Sequence, residues 1–192
     1  MKKQLCSLLT ALALAVGLLP SAARAAENAP SFADVPAAAW YADAVQYVYE
    51  NGLMTGVSES EFAPDGTATR GQIVTILWRL AGSPVVNYAM RYADADEGAW
   101  YGEAVRWAAS TGVVTGYTES SFGPNDAITR AQLAAFLYRY IKTQGQGFTG
   151  MWYFPLRYDD AANISDWADE AMHWCVMKGV LNGTGETTLS PQ

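Results

Sequence analysis

Apolar residues recur at helical spacing in five stretches of this chain. Tyr41, Ala44, Val45 and Val48 fall at i, i+3, i+4 and i+7, as do Tyr101, Ala104, Val105 and Ala108, and again Ala168, Ala171, Met172 and Cys175. Each set makes the apolar stripe of an amphipathic helix. Gly52, Gly112 and Gly179 follow the last turns, where a left-handed cap favours glycine. Two further stripes, Ile73-Ile76-Leu77-Leu80 and Leu133-Phe136-Leu137-Tyr140, open on Thr69-Arg70-Gly71-Gln72 and Thr129-Arg130-Ala131-Gln132. Thr followed three residues later by Gln is a capping box, with Ala68/Ile73 and Ile128/Leu133 as hydrophobic staples. The pattern predicts a mainly α protein.

The stripes are copies of one unit. Trp40-Tyr41 returns as Trp100-Tyr101, Thr55-Gly56 as Thr115-Gly116, Phe62-Ala63-Pro64 as Phe122-Gly123-Pro124, and Thr69-Arg70 as Thr129-Arg130, all 60 residues on. Trp167, Gly179, Asn182-Gly183 and Leu189-Ser190-Pro191 match the second copy at an offset of 67. Each copy also begins with an aromatic-x-Asp step: Phe32-Ala33-Asp34, Tyr92-Ala93-Asp94 and Tyr158-Asp159-Asp160. The expected organisation is three tandem helix–loop–helix repeats over 27–90, 91–154 and 155–192. The third is read as incomplete, stopping short of its own Thr-Arg box. Units of this size cannot bury an apolar face alone, so function belongs at the seams between them.

Residues 1–25 read as a secretory signal peptide: Lys2 and Lys3, an apolar run from Leu8 to Leu19, and an Ala23-Arg24-Ala25 cleavage site. A retained N-terminal anchor is the alternative. Cleavage removes Lys2, Lys3 and Arg24, leaving nine basic against nineteen acidic side chains, a net charge of −10. That balance disfavours nucleic acid and an anionic membrane surface as partners, and no membrane insertion is expected after cleavage. Only Cys175 then remains, so no internal disulfide forms; its place on a helix stripe reads as a small buried hydrophobe. His173 is the single histidine, and Asp94–Gly98 lacks the closing Glu of a calcium loop, so neither catalysis, a metal nor a cofactor is expected.

Aromatic-x-Asp, a tryptophan, a helix, Gly, a Gly-bearing loop, aromatic-x-Pro, then Thr-Arg-x-Gln opening a helix: in this order the features resemble the S-layer homology (SLH) repeat over Phe32 to Gln192. The family's Thr-Arg-Ala-Glu stands here with Gln72 and Gln132 in place of the acid. The resemblance implies a pseudo-threefold bundle with ligand grooves between repeats. It also implies non-covalent anchoring to a bacterial cell envelope, commonly through a secondary cell-wall polymer bearing ketal-pyruvate. The alternative is that the chain is the anchoring fragment of a larger secreted enzyme, such as a cell-wall or polysaccharide hydrolase. A helix start carrying Arg70 or Arg130 suits a carboxylate. Gln72 and Gln132 lie beside these arginines. Trp40, Trp100 and Trp167 can offer a flat face to a sugar ring, or pack as core. Asp34, Asp94 and Asp160 can accept sugar hydroxyls, or cap turns.

Overall fold

The computed structural model describes residues 32–192, so the leader read over 1–25 lies outside the described residues. Five α-helices form: α1 Ala42–Glu50, α2 Arg70–Leu80, α3 Gly102–Thr111, α4 Arg130–Thr143 and α5 Asp166–Met177. A 3-10 turn at Ala161–Asn163 precedes α5. Among the described residues there is no strand; one antiparallel bridge joins Thr69 to Ala127, so the starts of α2 and α4 lie side by side. The architecture is mainly α, as the periodicity predicts.

Both capping boxes are formed. Thr69 Oγ1 accepts from the Gln72 N–H at 3.3 Å, and Gln72 Oε1 accepts from the Thr69 N–H at 2.8 Å. Thr129 and Gln132 repeat the exchange at 3.3 Å and 3.3 Å. Each such cap contributes about 1 kcal/mol to its helix start. Gly112 closes α3 with φ +73°, the left-handed turn its position predicts.

The helices pack across the repeats rather than within them. α2, from the first repeat, lies along α3 of the second, and α4 of the second lies along α5 of the third; α2 also crosses α4. One cluster joins Val74 and Leu77 of α2 to Ala104, Val105 and Ala108 of α3. The other joins Ala134 and Tyr138 of α4 to Ala168, Met172 and Cys175 of α5.

The stripes on α2 and α4 differ from the expected ones. α2 buries Gly71, Val74, Thr75 and Leu77, while Leu80 is exposed. α4 buries Ala131, Ala134, Ala135 and Tyr138, again i, i+3, i+4 and i+7, with Phe136 buried in the other cluster. These helices contact neighbours on two sides. The side facing the next repeat uses small residues, which let backbones approach; a scan for large apolar residues passes over them. Gly71 makes the point: a Cβ there would sit 2.8 Å from the Pro124 carbonyl oxygen.

Candidate functional site

The second glycine and the aromatic-x-Pro step of each repeat belong to a loop clamped by the aspartate of that repeat. Asp94 Oδ1 accepts from the Phe122 N–H at 2.8 Å, and Oδ2 from the Gly123 N–H at 2.9 Å and the Ser121 hydroxyl at 2.8 Å. Asp34 holds the Phe62 and Ala63 N–H groups at 2.9 and 2.6 Å, and Asp160 those of Leu189 and Ser190 at 2.8 and 2.7 Å. The second amide in each pair belongs to a left-handed residue: Ala63 at φ +59°, Gly123 at +69° and Ser190 at +52°. Two successive N–H groups converging on one carboxylate resemble an anion nest, filled here by the protein's own side chain.

The clamps lower the aspartate pKa values. At Asp34 the Phe62 N–H is the main cause, and at Asp160 the Leu189 and Ser190 N–H groups. At Asp94 burial alone would raise the value, but the Phe122 and Gly123 amides and the Ser121 hydroxyl together outweigh it. The aromatic residue two positions earlier completes the loop: the Tyr92 hydroxyl accepts from the Gly116 N–H at 2.9 Å, and a Cβ on Gly116 would lie 2.6 Å from the tyrosine ring. Of the two readings open for these aspartates, the loop-capping one describes their contacts.

The arginines are inserted into the loop of the following repeat. Arg70 Nε donates to the Phe122 carbonyl at 2.8 Å and Nη2 to the Thr115 carbonyl at 3.2 Å. Its guanidinium lies 4.3 Å from the Tyr117 ring centroid, 4.7 Å from that of Phe122 and 5.0 Å from that of Phe136. Arg70 is 2% exposed, and burial lowers its pKa. The expectation of a fork open to a carboxylate therefore does not describe Arg70. The α2 start is closed as well, because Arg70 N donates to Asp126 O at 3.0 Å, Gly71 N to Pro124 O at 2.8 Å, and Gln72 N to its cap.

Arg130 makes the same two contacts one repeat on, with Nε 2.8 Å from the Leu189 carbonyl and Nη2 bonded to the Asn182 carbonyl. Its surroundings differ. Thr184 stands where the second repeat has Tyr117, and Leu189 where it has Phe122. Arg130 is half-buried rather than enclosed. Gln72 and Gln132 are occupied as capping partners.

The tryptophans are the expected site residues that the fold leaves most open. Trp40 is 93% exposed, Trp100 59% and Trp167 54%. Trp100 packs edge-on against Tyr101 at 5.2 Å between centroids, and the Tyr101 ring reaches to 3.4 Å of where a Gly71 Cβ would sit. An open indole thus borders the seam that Arg70 enters. Sequence reasoning missed the residues that enclose Arg70, namely Tyr117 and Phe136. Their only signal is an aromatic at one repeat's position where the others carry Val57 and Thr184. Cys175 is fully buried and burial pushes its thiol pKa up to about 12. His173 sits against Asp169, 3.4 Å from its carboxylate. Among the described residues no three His, Cys, Asp or Glu side chains are grouped to hold a metal ion, and no helix is long and apolar enough to cross a membrane.

The model of the S-layer homology domain matches three tandem segments, 31–74, 91–134 and 157–192, the last shorter. The chain belongs to the S-layer homology family. Its SLH repeats are similar to segments of much longer proteins. They are 28% identical to an endoglucanase of Bacillus sp. (strain KSM-635), over 99% of this chain and 20% of that protein. They are 28% identical to the surface-layer 125 kDa protein of Lysinibacillus sphaericus, over 78% of this chain and 12% of that one. The S-layer protein sap of Bacillus anthracis is 27% identical over 96% of this chain and 22% of its own length. The chain thus spans about a fifth or less of these relatives.

Proposed function

We propose that this chain is a non-catalytic module that holds a secreted protein on the bacterial cell surface by binding an acidic wall glycan at the seams between its repeats. Membership of the SLH family and the likeness to S-layer proteins support surface association. The observation that carries the glycan reading is the recurring open tryptophan, one ahead of the first helix of every repeat. A soluble fold does not ordinarily repeat an unpacked indole three times, and a flat apolar face suits a pyranose ring. Beside two of these repeats an arginine enters from the preceding helix. Arg130, less covered, supplies the cation for a carboxylate such as a pyruvyl ketal. The polymer is then a secondary cell-wall polymer or another peptidoglycan-linked glycan, outside the membrane.

A second reading follows from the endoglucanase likeness: the module anchors a catalytic domain that acts on polysaccharide. Both readings give these repeats the same task.

Purified sacculi with and without their secondary polymer test the proposal. The protein is expected to sediment with the complete sacculi and stay in solution with the stripped ones, and Trp100→Ala with Trp167→Ala is expected to weaken the pull-down. Equal sedimentation with both preparations would overturn polymer recognition.

A further inference from the structure

The first repeat presents the same receiving surface as the other two, and nothing fills it. In the second and third repeats the first helix is covered by an arginine-headed helix from the repeat before, so Ala104, Ala108, Ala168 and Cys175 are all fully buried. The corresponding positions on α1 are open: Ala44 is exposed, Val48 half-buried, and Val45 is the single buried residue of the helix. No described helix packs along α1.

The loop beside it is equally vacant. In the second repeat the carbonyls of Thr115, Phe122 and Pro124 receive Arg70 Nη2, Arg70 Nε and Gly71 N. In the third, Asn182, Leu189 and Pro191 receive Arg130 Nη2, Arg130 Nε and Ala131 N. Their counterparts Thr55, Phe62 and Pro64 have the same sequence context and the same Asp34 clamp. Among the described residues no donor reaches their carbonyl oxygens. A cleft of ≈ 540 Å³, lined by Phe32, Tyr49, Thr55, Gly56 and Val57, opens there.

We propose that this flank of the first repeat is a docking site for a third arginine-headed helix, supplied by a further SLH repeat outside residues 32–192. The occupant's chemistry is set by the two filled copies. It opens on Thr-Arg, it carries small residues at the second, fifth and sixth helical positions (Gly71, Val74, Thr75 in α2; Ala131, Ala134, Ala135 in α4), and an aromatic follows at the ninth. Its guanidinium would span the Thr55 and Phe62 carbonyls while the small face lies on Ala44 and Val48. The proposal does not depend on glycan recognition: sacculus binding can fail with this site intact.

A synthetic peptide of residues 127–144, which has this chemistry, is the probe, titrated into the whole protein and followed by amide chemical shifts. Saturable shifts confined to α1 and the Thr55–Phe62 loop are expected. The peptide carrying Arg130→Ala should bind roughly ten- to a hundredfold more weakly, as the loss of a charged hydrogen-bonding group predicts. Ala44→Glu should abolish binding while leaving the helical content and unfolding midpoint of the free protein unchanged, because Ala44 is exposed. Equal binding by the alanine peptide, or undiminished binding to Ala44→Glu, would overturn the arginine-headed occupant. Concentration-dependent self-association that protects α1 without peptide would do the same, showing that a second copy covers the face.

Discussion

Arg70 and Arg130 start from the same motif and end in different surroundings. Each caps onto the next repeat's loop through Nε and Nη2 to two backbone carbonyls. Arg70 is sealed by the rings of Tyr117, Phe122 and Phe136, whereas Arg130 meets Thr184 and Leu189 and stays partly open. One repeated contact thus serves two ends. Enclosed, a guanidinium bonded to carbonyls is a rivet whose loss strands buried acceptors. Left partly open, it retains donors for an external anion. The difference is set by two side chains of the receiving loop, not by the motif.

Substitution at the two arginines is the sharpest way to break this contrast. Arg70→Ala is expected to destabilise the protein by about 3 kcal/mol, since it removes charge-assisted bonds and leaves buried carbonyls unpaired. A urea midpoint unchanged from the parent would end the rivet reading. Arg130→Ala should cost about 1 kcal/mol of stability or less, because water reaches the freed carbonyls. It should nonetheless weaken sacculus binding by about tenfold, read by co-sedimentation at fixed ionic strength. Affinity equal to the parent's would remove Arg130 from the site.

Smaller effects sharpen the same comparison. Tyr117→Ala opens the lid on Arg70 and should lose about 1 kcal/mol by thermal unfolding, the contribution of a partly desolvated cation–π contact. The aspartate clamps behind both loops supply the smallest effect. Their carboxyls have lowered pKa values in the fold, so the stability they add is complete above the ordinary carboxylate pKa of about 4. It is lost as pH falls through the lower folded values. Unfolding midpoints measured downward from pH 5 should therefore fall below about pH 4. The slope should diminish in Asp94→Asn, and an unaltered slope would show that the clamp does not couple to folding.

Much of this was legible in the residues. The number, type and starts of the helices follow from spacing, capping boxes and glycines, because these signals are local. The face each helix presents did not follow for α2 and α4. Ala131, Ala134 and Ala135 carry a weak hydrophobic signal, and their importance comes from how near α5 lies. The aspartates illustrate the other limit. Asp-x-x and aromatic-x-Pro lie nearly thirty residues apart, so their pairing in one loop is tertiary information. The arginines were found correctly as the residues at the seams. What they bond to depended on Tyr117 and Phe136, which no motif marks. Trp40, Trp100 and Trp167, between core and surface by type alone, are placed at the surface by the fold.

The register between the written repeat and the packed pair has a consequence for rearrangement. A copy in the sequence runs from its aspartate to the end of its second helix, but the cohesive body runs from one second helix into the next first helix. Excising one sequence copy therefore severs two such bodies and leaves two mismatched halves to rejoin. Gain or loss of copies succeeds only if the orphaned halves recognise each other. The near-identical carbonyl sockets of the second and third repeats are what would permit that exchange. Interchangeable sockets make the array extensible by whole copies while every interface within it remains of one kind.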